Sequence, residues 1–382
     1  MENSKVLVDD PSTRVLGSIS AIDRLLPLWI VAAMAAGVGI GYYLPGSAGI
    51  INSMQVDAIS LPIAAGLIWM MYPPLAAVNY RRIAGVRKAG RVLTLSTVLN
   101  WAVGPFLMFG LAWLLLPDLP GFRDGVILVG LARCIAMVLV WNMLAGGNNE
   151  YAALIVAMNA LFQIAFYSVF AYLFINILPA YLGHAAGAAS IHVDPATVAW
   201  SVAVFLGVPL AMGIITRYSL VSRKGERWYE ERFLPRLKPT ALLGLLFTLV
   251  MMFGLEGRQM VALPADLLRV AAPLLAYFLI MFTLSYLISW KMGFDYEETV
   301  TTSFTAASNN FELAIAVAVS IFGITSSQAF ATVVGPLIEV PVMIGLVYVS
   351  LWLKGLLFGR GRGNAAAGTG SRGSGAEGDW RE

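Results

Sequence analysis

Apolar runs of about 20 residues, each long enough to cross a hydrocarbon core, recur along this chain between short polar stretches. The runs are built mostly of Leu, Ile, Val, Ala, Phe and Met. In lipid every backbone N–H and C=O must be bonded internally, so such runs predict helices rather than barrel strands. Ten spans are expected near 25–44, 57–77, 93–116, 125–145, 151–178, 196–216, 240–256, 268–290, 300–323 and 328–353. That pattern gives a cytoplasmic segment over 1–24, a ten-helix unit over 25–354 and a Gly/Ser/Ala-rich disordered tail over 355–382. Five spans per half is an odd number. Halves of related structure, about 25–179 and 196–353, would therefore enter the membrane in opposite directions. A faint internal likeness fits this. "ARCIAMVL" (132–139) lies on "NFELAIAV" (310–317), which sets Cys134 opposite Glu312. "NALFQIAFYSVFAY" (159–172) lies on "GPLIEVPVMIGLVY" (335–348), which sets Gln163 opposite Glu339 and Tyr172 opposite Tyr348. Inverted repeats of this kind belong to secondary transporters, whose sites form where broken helices of the two repeats meet.

Composition agrees with the pattern. The chain has 382 residues, 59% hydrophobic and 12% charged, where soluble proteins average about 25% charged. Mean hydropathy is +0.77. The net charge of +3 is no sign of nucleic-acid binding, because the basic residues lie in short inter-span loops. They lie asymmetrically: 21 of the 25 Lys and Arg fall on one side of the ten spans, chiefly in "NYRRIAGVRKAGR" and between Arg217 and Lys238. The positive-inside rule then puts both termini in the cytoplasm of a multi-pass cell-membrane protein. The polar N-terminal stretch, with Asp9, Asp10 and Pro11, does not read as a signal peptide. A single cysteine excludes an internal disulfide and a multi-cysteine metal site.

Ionisable groups within spans carry the functional signal, since each costs about 2.5–3.5 kcal/mol at a helix centre unless paired or hydrated. Three lie deep: Arg133, Glu312 and Glu339, while Asp57 and Glu256 fall near span ends. Arg133 precedes the only cysteine, Cys134. Glu312 ends a polar run, "TTSFTAASNNFELA", that includes Ser308, Asn309 and Asn310 and predicts a wet cavity or an unwound helix. Gly335, Pro336 and Pro341 bracket Glu339 and free backbone carbonyls there. Each residue also has a bland account. A lone membrane cysteine packs as a small hydrophobe. Arg133 could tie helices together through a carboxylate, and Asn100, Asn142, Asn159, Gln163, Asn309 and Asn310 could act as interhelical glue. His184 and His192, eight apart in an outside loop, do not make a metal site.

At these residues the chain resembles the arsenite efflux permeases of the arsenical-resistance-three family, within the bile-acid/arsenite/riboflavin transporter superfamily. The likeness runs through "SLPIAAGLIWMMYPPLAAVNY" (60–80), "LNWAVGPFLMFGLAWLLLPDLPGF" (99–122), "GLARCIAMVLVWN" (130–142), "SFTAASNNFELAIAVAVSIFG" (303–323) and "VVGPLIEVPVMIGLVYVSLWL" (333–353). The resemblance implies an all-α protein of ten transmembrane helices in two inverted five-helix repeats, with discontinuous, crossing fourth and ninth helices. It also implies a transporter with no cofactor that exports trivalent arsenite, with antimonite as a further candidate, against proton entry. The essential cysteine maps on Cys134 and the functional glutamates on Glu312 and Glu339. Asn309 and Asn310 join them as candidate substrate-binding residues. Two positions depart from the family pattern: Met143 and Asn148 stand where acidic residues are common.

The chemistry is coherent. Arsenous acid is a neutral trihydroxide near neutral pH, and its soft centre favours sulfur. One thiol makes one reversible arsenic–sulfur bond. Glu312 and Glu339 would carry protons. Arg133 would lower the thiol pKa or, more economically, act as counter-ion to Glu312 or Glu339. A sodium-coupled organic-anion symporter, using the polar run over 301–312 and not needing Cys134, is the alternative. No set of residues with catalytic or metal-ligand spacing lies in any span, which speaks against an enzyme.

Overall fold

The computed structural model describes residues 25–44, 46, 49, 53–56, 59–79, 90–182, 193–262 and 264–358. The N-terminal segment, the basic loop through Arg81, Arg82, Arg87 and Lys88, Asp57, both histidines and the tail beyond 358 lie outside them, as do the side chains of Glu256 and Arg258. The described chain is helical apart from one two-residue hairpin, β1 (Gln55–Val56) against β2 (Ile59–Ser60). Helix α1 is Leu26–Tyr43 and α2 is Leu61–Ala77. Helix α3 is Gly90–Leu115, α4 Pro120–Leu131, α5 Met137–Leu144 and α6 Asn149–Tyr181. Helix α7 is Pro195–Lys224, α8 Leu234–Ala262 and α9 Pro264–Lys291. Helix α10 is Tyr296–Ala307, α11 Phe311–Phe322 and α12 Ser327–Leu353.

Local sequence sets the helix starts. Asp194 caps α7, accepting from the Ala196 and Thr197 amides, with Pro195 at the first helical position where no N–H is needed. Asp295 caps α10, Asn310 caps α11 and Ser326 caps α12 in the same way. Gly323, at φ 85°, ends α11 in a conformation that a side chain would strain.

Among the described residues six helices are long and apolar enough to cross a membrane, and Leu28–Tyr43, Leu61–Ala77 and Phe311–Phe322 are shorter apolar helices. The spans at 125–145 and 300–323 are discontinuous, as the resemblance implies for the fourth and ninth spans. Each is two short helices, α4 with α5 and α10 with α11, divided at Ala132–Ala136 and at Ser308–Asn310. The expected loop between Arg217 and Lys238 is largely helical too. Helix α7 runs on to Lys224, and a short helix, Glu226–Trp228, leads through a π turn, Tyr229–Phe233, into α8. Arg217 is buried there, donating to the Ala77 carbonyl at 3.2 Å and pairing with Glu226 and Glu230.

The helices form two packed groups. Helices α1, α2, α8 and the second half of α7 pack together as a panel, and α3 to α6 with α9 to α12 form a core. Helix α7 changes partners along its length. Its first half packs on α6 and α11, its second half on α2, and a π turn at Ala203–Gly207 separates the halves. Close approach inside the core needs glycine. A Cβ on Gly125 of α4 would stand 2.4 Å from the Gln328 carbonyl oxygen of α12.

Candidate functional site

The two helix breaks meet in the core. Arg133 and Asn309 form an isolated antiparallel bridge: the Asn310 amide donates to the Ala132 carbonyl at 3.0 Å and the Cys134 amide to the Ser308 carbonyl at 3.3 Å. Breaking a buried helix frees backbone groups that must find partners. Here each break supplies them to the other. Asn309 Nδ2 donates to the Val129 and Ala132 carbonyls at 2.9 and 3.0 Å, and the Tyr167 hydroxyl takes the Leu128 carbonyl at 2.9 Å. Two helix N-termini, of α5 and α11, start at the crossing. Asn310 Oδ1 caps α11 through the Leu313 amide, and Cys134 Sγ accepts from the Val138 amide at 3.3 Å in α5.

Two side chains brace the remaining bridge amides. The Arg133 amide donates to Gln163 Oε1 at 3.0 Å. The Asn309 amide donates to the Glu339 carboxylate, which also accepts from the Ser308 hydroxyl at 2.5 Å. Cys134, 3% exposed, lies against that hydroxyl, within electrostatic reach of Glu339 and Glu312. Cys134, Asn309, Asn310, Glu312 and Glu339 are thus brought together. Ser308, in sequence just one member of a polar run, lies between the thiol and the carboxylate.

Arg133 is the exception, and it corrects the expected carboxylate pairing. Its guanidinium makes no ion pair among the described residues. It points away from the thiol, donating to the Tyr277 hydroxyl at 2.5 Å and to the Ala306 carbonyl at 3.5 Å. Ala306 lies in the last turn of α10, so the cation faces the negative end of a helix dipole. The side chain is fully buried beside Gly104, where a Cβ would come within 2.8 Å of Nη1. Neither Tyr277 nor Gly104 has a local cue in sequence: each sits in an apolar run of the ordinary kind.

Of the two expectations for the polar run, the unwound helix is met at Ser308–Asn310, while its hydroxyls do not call for a wet cavity. Thr301, Thr302, Ser303 and Thr305 are buried but donate to carbonyls four residues back in α10, so they need no wet cavity. Thr301 also ties Asn142 and the Asn148 amide to α10. Asn148 caps α6, its side chain accepting from the Glu150 and Tyr151 amides, a task that aspartate performs equally well.

Two cavities flank α11. An apolar one of about 30 Å³ lies between α2, α8, α11 and α12, with Ser60, Leu67, Phe205, Met252, Val319 and Val333 in its wall. A smaller one, too tight to hold a water molecule, is lined by Leu67, Met71, Phe205, Leu206, Asn310, Glu312 and Leu313. Among the described residues no cluster of His, Cys, Asp and Glu could hold a metal ion.

Comparison with known proteins bears on this site. The sodium bile acid symporter family model matches residues 64–263. The arsenical-resistance protein Acr3 of Corynebacterium glutamicum is 48% identical over 340 residues, covering 89% of this chain and 91% of that protein. The chain belongs to the Acr3 arsenical-resistance family. A second Acr3, from Alkaliphilus metalliredigens, is 32% identical over 87% of this chain and 93% of its own length. An uncharacterised transporter of Synechocystis is 34% identical over 87% of this chain and 89% of its own. Family and apolar helices together make this a multi-pass membrane protein of a transporter family.

Proposed function

We propose that the protein exports trivalent arsenite, and antimonite by the same chemistry, across the cell membrane in exchange for protons, with both termini cytoplasmic. The carrying observation is the surroundings of Cys134. The only thiol of the chain stands at the meeting of two broken helices, beside Ser308, Glu339 and Glu312. Relatives named as arsenical-resistance proteins cover most of the chain. At the site, the thiol condenses with arsenous acid: one As–O bond breaks, one As–S bond forms, and the thiol proton leaves with the displaced hydroxyl as water. Hydrolysis of the same bond releases the cargo. A single soft ligand keeps the step reversible. Glu339 and Glu312 carry protons in opposition to the cargo, and the panel moves against the core.

The architecture we infer is ten helices in two inverted repeats. Its support is a single register. The bridged pair Arg133 and Asn309 are 176 positions apart (309 − 133), as are their braces Gln163 and Glu339 (339 − 163): the Gln163 carboxamide accepts the Arg133 amide as the Glu339 carboxylate accepts the Asn309 amide. This replaces the expected alignment of Cys134 with Glu312 by one of Cys134 with Asn310. Arsenite uptake into everted vesicles under a proton or a sodium gradient tests the proposal. Cys134→Ser keeps the side-chain shape without the soft ligand, and uptake is expected to vanish from protein that still inserts. Glu312→Gln and Glu339→Gln, tested singly, are expected to bind cargo and lose gradient-driven flux in at least one case. Full export by Cys134→Ser, or a response to sodium alone, would favour the organic-anion symporter.

A further inference from the structure

The two cavities share two wall residues, Leu67 of α2 and Phe205 of the π turn in α7. Both are nearly buried, at 2% and 4% exposure. On one side of them lies the small chamber with the Glu312 carboxylate and the Asn310 carboxamide, whose Nδ2 is buried without a hydrogen-bond partner among the described residues. On the other side lies the larger cavity, whose polar wall residues are Ser60 and Ser320. Leu67 and Phe205 are therefore the partition between an acidic chamber and an apolar vestibule.

We propose that Phe205, closing against Leu67, is the gate between the Asn310–Glu312 pocket beside the cargo site and the vestibule. Rather than dividing the repeats, the gate sits at the place where α7 changes allegiance. The first half of α7 is fixed to core helices α6 and α11, and the second half to panel helix α2. The Ala203–Gly207 π turn between them touches α2, α6 and α11 together. A π turn inside a helix carries a widened hydrogen-bond pattern and is a favoured place for a functional bend. Movement of the panel against the core must be absorbed in this turn, because its two flanks are packed on the two moving groups. Such a bend carries the Phe205 ring relative to Leu67 and Glu312. An apolar partition of this kind holds back ions by denying them water. It passes a small neutral hydroxide at lower cost than an ion. Phe205 thus sets both the timing of release and the charge of what is released. The charge argument rests on the proposed arsenite transport; the partition itself does not.

Native Cys134 supplies the test, since it is the only thiol and Glu312, whose charge reaches it, lines the chamber. Right-side-out vesicles are treated with 2-aminoethyl methanethiosulfonate, a small cation, and the rate of Cys134 modification is read by mass spectrometry. No arsenite is present, so failure of the transport reading leaves this measurement intact. Phe205→Ala and Leu67→Ala are expected to raise the rate by about tenfold or more, which corresponds to lowering a barrier by ~1.4 kcal/mol. Phe205→Trp, which fills the partition and guards against a folding defect in the alanine variants, is expected to slow it below wild type. In everted vesicles all three rates are expected to match wild type. Equal rates for Phe205→Ala, Phe205→Trp and wild type in right-side-out vesicles would overturn the gate, as would an effect of equal size from both faces.

Discussion

Replacing Gln163 by Leu removes a buried acceptor and leaves everything in the proposed cargo site untouched. Gln163 is fully buried on α6, where its Oε1 accepts the Arg133 amide at 3.0 Å and its Nε2 donates to the Asn159 carbonyl at 3.2 Å. The Arg133 amide lies in the broken stretch between α4 and α5, so no helical carbonyl replaces the lost partner. An orphaned buried amide costs about 1–3 kcal/mol, and no bulk water is at hand in the core of a membrane protein to reduce that. Leucine is close in volume to glutamine, so the cavity contribution is small. A loss of ~1 kcal/mol lowers the midpoint by about 2–4 °C in domains of 150–250 residues, and a drop of a few degrees is the expectation here. Cys134 again provides the assay: it is 3% exposed when folded, so a thiol-reactive dye reports thermal unfolding of detergent-solubilised protein directly. Gln163→Glu, which keeps an oxygen acceptor and reproduces the side of the crossing held by Glu339, is expected to lose less than Gln163→Leu. Leu161→Ala on the same helix, at a position 46% exposed, serves as the control. A midpoint for Gln163→Leu within 1 °C (about 0.3–0.5 kcal/mol on the same scale) of wild type would refute the claim that this amide depends on Gln163.

Other substitutions probe neighbouring parts of the same frame. Tyr277→Phe deletes the hydroxyl that accepts from the Arg133 guanidinium at 2.5 Å; a buried charged donor then loses its best partner, and the dye assay should show a loss of about 1.5–3 kcal/mol. If instead the variant is as stable as wild type, the α10 carbonyl end suffices to hold the cation. Asn148→Asp is expected to leave both stability and transport within error, because either side chain caps α6, while Asn148→Ala should cost about 1 kcal/mol. A large change in transport for Asn148→Asp would show that charge at that mouth, rather than capping, is what the position supplies.

Much of this protein is legible along the chain. Apolar runs with few charges dictate membrane helices, because lipid offers no partner to a backbone amide. The cost of charge in lipid singles out Arg133, Glu312 and Glu339 from the sequence alone. Polar residues at 308–310, next to Glu312, mark a place where a helix is interrupted, since Asn and Ser compete for backbone bonds. The helix starts at Asp194, Asp295 and Ser326 follow from ordinary capping chemistry.

Other features came only with the tertiary structure. The family resemblance implies a broken fourth span, but nothing in "ARCIA" itself breaks a helix, since it has neither proline nor glycine, and only the packing shows what holds the break open. The break at 132–136 persists because Ser308, Asn309 and Asn310, some 176 positions away (308 − 132), satisfy the amides and carbonyls it frees. The direction of the Arg133 side chain was equally hidden. Sequence requires that a deep cation have a partner, and carboxylates were the available candidates. The structure chose a tyrosine hydroxyl and a helix end instead, because a helix C-terminus is an array of partial charges that no residue letter records. The threonine-rich turn of α10 errs in the opposite direction: it reads as a wet surface, yet its hydroxyls close on their own helix. Periodicity and side-chain chemistry are properties of single segments. Which helix end faces which side chain, and which backbone breaks complete each other, depend on segments far apart in the chain, and only their packing decides it.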